Sequence, residues 1–314
     1  MYNVTIFGID LTIDPVAFTL PIGTGWTIYW YGIIIAFGFT LAMIYGYRYA
    51  KRYNINVDKM LDVVLVATPC AILGARAYYL IFDGVRMTGG IKEFFGLDSF
   101  GFKGLAIYGG IIGAAVSGII MCIIRKVKIA DIFDLAAVAF LIGQGIGRWG
   151  NFFNQEAFGG PTGSSFWGMT IANVVSEFIG LGHSADALAH PCFLYESVWC
   201  IIGAVLLHKI GERRKFSGEV ALSYCVWYGF GRGFIEILRT DSLLIGSLKV
   251  SSILSFSICI IAIGVIVYIR TRERRKIAED KYEDMFRDEL AAENEYLNDS
   301  EFSVGSQVVE SEEF

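Results

Sequence analysis

Seven apolar stretches, at 26–47, 61–82, 105–124, 129–148, 192–208, 219–238 and 247–269, dominate this chain. A bilayer core is about 30 Å thick and a helix rises about 1.5 Å per residue, so about 20 apolar residues cross it. Hydrophobic residues make up 54% of the 314 and charged residues only 18%, which excludes a soluble globule carrying isolated apolar patches. In lipid every backbone N–H and C=O must be satisfied within the protein, and helices do this locally. The expected fold is therefore an all-α polytopic membrane protein with seven transmembrane helices and a small extracytoplasmic cap.

The basic residues give an orientation. Arg48, Lys51, Arg52 and Lys59 follow the first stretch, and Arg125, Lys126 and Lys128 the third. Lys209, Arg213, Arg214 and Lys215 follow the fifth, and seven more from Arg270 to Arg287 follow the last. These segments hold 18 of the 26 Lys and Arg, whereas the opposite side holds Arg86, Lys92, Lys103, Arg239 and Lys249. The positive-inside rule then predicts an N-terminus outside and a cytoplasmic C-terminus.

Residues 1–25 contain no Lys or Arg and no short apolar core ahead of a small-residue cleavage site, so no cleavable leader is expected. They read as an extracytoplasmic N-terminal segment, followed by a membrane body over 26–270 and a cytoplasmic tail over 271–314. Within the body, 149–190 lacks Lys and Arg and reads as the external cap. The tail is basic and then acidic, with thirteen Asp or Glu beyond Lys276, and is expected to begin helical and end disordered. No internal repeat links the halves of the body, which counts against a transporter built from inverted repeats. The six cysteines lack CxxC spacing and read as packing residues. With three histidines and no HExxH, no metal site is expected.

Three arginines fall inside the apolar stretches: Arg76, Arg148 and Arg232. Counted from the inner ends of their helices, Arg76 stands about 22 Å up, Arg232 about 20 Å, and Arg148 near the outer boundary. All three are expected in the outer half of the membrane. An intramembrane arginine costs at least about 2.5 kcal/mol and normally faces a partner, a cavity or a pathway. Glu236, one turn from Arg232, and Glu156, just beyond Arg148, are the carboxylates nearest in sequence. Each pair could be structural, but carboxylates at that depth are scarce, and a planar guanidinium suits bidentate binding of a phosphate. An outward-opening cavity lined by Arg, Asn and Tyr would take an anionic phospholipid head group.

Other segments share this polar character. Arg148 lies in a run of glycine and amide, Gly143 to Gly160, whose glycines read as backbone freedom at a helix end. Trp30-Tyr31-Gly32 interrupts the first stretch with aromatics able to hydrogen-bond. Tyr108-Gly109-Gly110 and Gly113 read as small-residue helix packing. His190-Pro191 and Leu194-Tyr195-Glu196 open the fifth stretch, where proline is ordinary first-turn chemistry.

At these residues the chain resembles the bacterial prolipoprotein diacylglyceryl transferase family. GRWGNFFNQEAFG at 147–159 is similar to the family signature. The resemblance extends through TrpTyrGly at 30–32, GlyAlaArg at 74–76, HisPro with LeuTyrGlu at 190–196, and Tyr228 to Arg239, covering about residues 20–270. It implies a multi-pass enzyme of the bacterial cytoplasmic (inner) membrane whose body is catalytic. Such an enzyme moves the diacylglyceryl group of phosphatidylglycerol onto the lipobox cysteine thiol of a lipoprotein precursor, leaving a thioether and releasing glycerol phosphate. Its implied partners are phosphatidylglycerol, lipobox precursors and membrane lipid, with no nucleic acid, and no cofactor is implied.

By the same resemblance Arg148 and Arg232 match arginines of phospholipid binding and catalysis. Asn151, Glu156 and Gly159 match other signature positions, and Tyr31, Arg76, Tyr228, Glu236 and Arg239 match further polar positions. Two residues depart from it. Many members carry histidine where this chain has Tyr108, and a tyrosine of pKa about 10 is a poor base. Ser252 stands where relatives carry glutamine. Tyr108 and Tyr31 are the two candidates for a hydroxyl beside the thiol. A flippase or transporter of anionic lipid, and a scaffold with structural arginines, are the competing readings.

Overall fold

The computed structural model describes residues 2–21, 26–82, 106–170, 172–180, 183–184, 187–240, 244–245 and 248–311. The expected outer-side cations Arg86, Lys92 and Lys103 lie outside these residues, as do parts of the 149–190 segment. The chain is mostly helical: α1 (Trp30–Tyr49), α2 (Val57–Phe82), α3 (Ile107–Ile124), α4 (Ile129–Asn154), the short α5 (Ala172–Gly180), α6 (Cys192–Glu212), α7 (Glu219–Leu238) and α8 (Val250–Ser311). Six of these are long and apolar enough to cross a membrane, and α7 is the long helix that is not among them. Its Arg232 and Glu236 lower its apolarity. The chain divides into two compact units, Met1–Ile263 and Gly264–Phe314, and the candidate site residues all lie in the first.

The expectation of an all-α fold is corrected by short strands. β1 (Tyr2–Ile6) and β2 (Ile9–Ile13) form an antiparallel hairpin, and β1 pairs on its other edge with β5 (Met169–Thr170) of the 149–190 segment. β3 (Val16–Leu20) pairs with β4 (Trp26–Tyr29), and β6 (Leu244–Ile245) with β7 (Leu248–Lys249). Trp26 to Tyr29 is therefore strand, not the first turn of a span. Its β-branched and aromatic residues favour the extended form, and one edge of its backbone pairs with β3. Val4 and Met169 of the three-stranded sheet bury together with Phe152, Phe158, Phe178 and Phe193.

Helix ends also move. α2 starts at Val57, four residues before the apolar stretch, because Asp58 suits a helix N-terminus and Asn56 Oδ1 accepts the Asp58 N–H at 2.7 Å. α4 continues six residues past Arg148 and stops at Asn154, where Gln155 turns left-handed at φ 57°. Arg148 thus sits within the helix, and the glycines around it serve close packing. A Cβ on Gly145 would lie 3.3 Å from the Ser197 carbonyl of α6, and one on Gly150 2.7 Å from the Tyr31 ring of α1. Packing by small residues is borne out between α2 and α3, where a Cβ on Gly74 would come within 2.5 Å of the Gly109 carbonyl.

α4 is the central helix, packed on α1, α6 and α7. α2 and α3 pack chiefly on each other. At the end of α4 opposite Arg148, Arg214 bridges Asp131 at 2.7 Å and Asp134 at 2.8 Å, and Asp134 also accepts the Gly218 and Ala221 N–H groups. This buried network holds the α6–α7 turn against the start of α4.

Candidate active site

Where α4, α6 and α7 meet, each contributes charge to one point. Glu196, one turn into α6 and only 2% exposed, receives Arg148 Nη2 on Oε1 at 2.5 Å and Arg232 Nη1 on Oε2 at 3.0 Å. Tyr228, one turn before Arg232 on α7, donates its hydroxyl to Glu196 Oε1 at 2.9 Å. Arg232 also bridges Glu236, one turn on, at 2.5 Å, and Arg239 Nε stands 4.0 Å from the same carboxylate. Three half-buried guanidiniums and two buried carboxylates leave this group with one net positive charge. Such charges are tolerated in low dielectric only when paired and hydrogen-bonded. Each guanidinium carries five N–H donors, and the contacts just described engage only part of that capacity on Arg148 and Arg232.

The expected Arg232–Glu236 pair is therefore present, but the expected partner of Arg148 is corrected. Glu156 accepts the side-chain amides of Asn151 at 3.0 Å and Asn154 at 3.4 Å, while Arg148 pairs with Glu196. The cause is the length of α4: it runs on to Asn154 and leaves Glu156 past its left-handed cap at Gln155, whereas α6 brings Glu196 alongside. Asn151 links the two groups, accepting Arg148 Nη1 at 3.5 Å. Sequence reasoning placed Glu196 in a polar segment but did not select it. A carboxylate inside a bilayer-length apolar helix was the signal.

Tyr31 lies in the first turn of α1 against the open face of Gly150. It helps line a cavity of about 500 Å³ with Thr27, Ile28, Tyr29, Gly32 and Asn154. Gly159 sits where three segments converge. Its N–H donates to the His190 carbonyl at 2.9 Å, and a Cβ there would approach the Leu238 carbonyl to 2.8 Å and Cys192 Sγ to 2.9 Å. Gly159 thereby fixes the 149–190 segment against α6 and the end of α7 beside Arg239. His190 meets the Tyr195 hydroxyl through Nδ1 at 3.2 Å, and burial lowers its pKa from the ordinary histidine range.

Two expected residues stand on the α2–α3 pair. The Arg76 guanidinium, buried at 5% exposure, lies over the Tyr79 ring at 5.7 Å. Tyr108 is 62% exposed, with Tyr78 as a ring neighbour at 6.4 Å. Tyr108 makes no described contact with the Glu196 cluster. Ser252 donates to the Gly233 carbonyl at 3.1 Å and ties the start of α8 to α7. Among the described residues no group of His, Cys, Asp and Glu is arranged to hold a metal ion.

A family-wide sequence model described as prolipoprotein diacylglyceryl transferase matches residues 15–268. A phosphatidylglycerol–prolipoprotein diacylglyceryl transferase of Clostridium novyi is 40% identical over 264 residues, 84% of this chain and 98% of the relative. A Clostridium perfringens protein of the same name, numbered 1, is 43% identical over 268 residues, 84% of this chain and 97% of its own. A Bacillus cereus relative is 38% identical over 256 residues, 81% of this chain and 92% of its own.

Proposed function

Because this chain belongs to the prolipoprotein diacylglyceryl transferase family, we propose that it transfers the diacylglyceryl group of phosphatidylglycerol to a cysteine thiol of a prolipoprotein. The observation that carries this reading is the cluster of Arg148 and Arg232 on buried Glu196, polar and net cationic at the junction of α4, α6 and α7.

A thiol of pKa about 8.5 is only a few per cent ionised near neutrality, and its thiolate is the nucleophile. It attacks the glyceryl carbon that bears the phosphate oxygen. A C–S bond forms, the C–O bond breaks, and its electron pair leaves on glycerol phosphate. The thiol proton passes to water or to the released phosphomonoester, whose second ionisation lies near pH 6. Charge grows on the phosphate as the C–O bond opens. Arg148 and Arg232 are proposed to stabilise it there, with donors held in place beforehand by Glu196.

Tyr228, Glu236 and Arg239 hold and surround this phosphate site, and Gly159 keeps the outer segment closed over it. Asn151 and Glu156 orient Arg148. Tyr31, beside Gly150 and Asn154 on the helix that carries Arg148, is favoured over Tyr108 on α3 as the hydroxyl near the thiol. Arg76 is assigned to the lipid on the α2–α3 side. The chain is placed in the bacterial cytoplasmic membrane with seven spans, α7 included, its N-terminus outside and its C-terminus inside. The distribution of Lys and Arg supports that orientation.

The test incubates purified protein with phosphatidylglycerol vesicles and a prolipoprotein peptide. This reading expects a diacylglyceryl mass gain on the cysteine with stoichiometric glycerol phosphate. A flippase would yield neither product, and that result would overturn the proposal.

A further inference from the structure

Thr27, Ile28 and Tyr29 are consecutive residues of β4, and all three line the cavity of about 500 Å³ beside Tyr31 and Asn154. Successive side chains of a strand point to opposite faces, so a cavity lying over one face would meet only alternate residues. Contact with three in a row brings this cavity against the backbone of β4 as well as its side chains. β3 occupies one edge of β4 in a two-stranded sheet, and among the described residues no strand pairs on the other. An unpaired edge presents a row of N–H and C=O groups that an extended peptide can complete.

The far wall connects this edge to the cationic cluster. Asn154 donates to Glu156, Asn151 donates to the same oxygen of Glu156, and Asn151 accepts from Arg148. A chain lying along β4 would therefore run beside Tyr31 and the polar line that leads to Arg148. A strand rises about 3.3 Å per residue, so the four residues of β4 match a peptide segment of about 13 Å.

We infer that the prolipoprotein docks by strand addition, its backbone around the acceptor cysteine pairing with the free edge of Trp26–Tyr29. The inference rests on the transferase reading of the Arg148–Glu196–Arg232 cluster. It adds the mode of recognition: main-chain hydrogen bonds supply affinity, and every second peptide side chain, the cysteine among them, turns toward Tyr31. Such recognition tolerates varied sequences flanking the cysteine, because backbone groups are common to all.

The test uses the intact protein and a synthetic prolipoprotein peptide, N-methylated at one backbone amide at a time across the residues flanking the cysteine. In strand addition only alternate amides face the partner strand. Methylation at alternate positions is expected to raise KM at least tenfold with kcat changed less than twofold, while the intervening positions leave both unchanged. Equal tolerance at every position, as when the cavity holds an acyl chain, would overturn strand addition. So would equal loss at every position. If the unmethylated peptide gains no diacylglyceryl group, the transferase reading itself fails. If that peptide is modified but the alternation is missing, only the docking mode fails.

Discussion

Glu196 is the residue on which the cationic cluster turns. Both of its oxygens are engaged by arginines from different helices, and Tyr228 adds a third donor. Removing one partner of a buried ion pair typically costs about 3–5 kcal/mol, because the remaining charges stay buried without compensation. Glu196→Gln is therefore expected to lower thermal stability in detergent by about 3 kcal/mol or more. Because an anion that binds only the folded form stabilises it, phosphatidylglycerol should restore more of the loss than a zwitterionic lipid. Equal rescue by both lipids would argue against an anion site. Tyr228→Phe removes one neutral donor to a charged acceptor, a change of about 1–3 kcal/mol. Its transfer rate should fall about tenfold with the fold retained, as read by activity and circular dichroism. At this scale Arg148, Arg232 and Glu236 were legible in the sequence, because a charge in an apolar stretch demands an explanation. Glu196 was passed over as the partner of Arg148, since chain proximity favoured Glu156, and only the packing of α6 against α4 brings the true partner near.

Among the helices, glycine sets how closely the functional elements approach. A Cβ on Gly150 would press to 2.7 Å on the Tyr31 ring, whereas one on Gly180 would meet nothing within 4 Å. Gly150→Ala should displace Tyr31 and reduce peptide transfer at least tenfold, with Gly180→Ala, an exposed site, retaining parental activity. Parental activity in Gly150→Ala, measured with the same peptide, would remove Tyr31 from the site. The helices themselves were legible from apolar length, and α7 coincides with its stretch at Glu219–Leu238. The strands were not. Each is five residues or fewer, and β1 finds its second partner more than 160 residues away in β5. Such a pairing leaves no local periodicity. The end of α4 was misjudged because glycines that permit tight helix packing look, in a sequence, like glycines that end a helix.

For the whole molecule, the segregation of positive charge predicts which side faces the cytoplasm. A cysteine placed at exposed Ser165 should react with a membrane-impermeant maleimide in intact cells, and one at exposed Lys281 only after lysis. The reverse pattern would invert the proposed topology. Orientation also decides where the cluster works, because Arg148 and the outer segment must face the leaflet that supplies lipid and precursor together. The measurement that bears most directly on the account is diacylglyceryl transfer by Arg232→Ala in proteoliposomes containing phosphatidylglycerol and a prolipoprotein peptide. Loss of a preorganised donor to developing charge typically costs about 100-fold to 1,000-fold in rate. A fall of at least about 100-fold, with the purified protein still folded, is the predicted result, and transfer at the parental rate would contradict the assignment of the phosphate to this cluster.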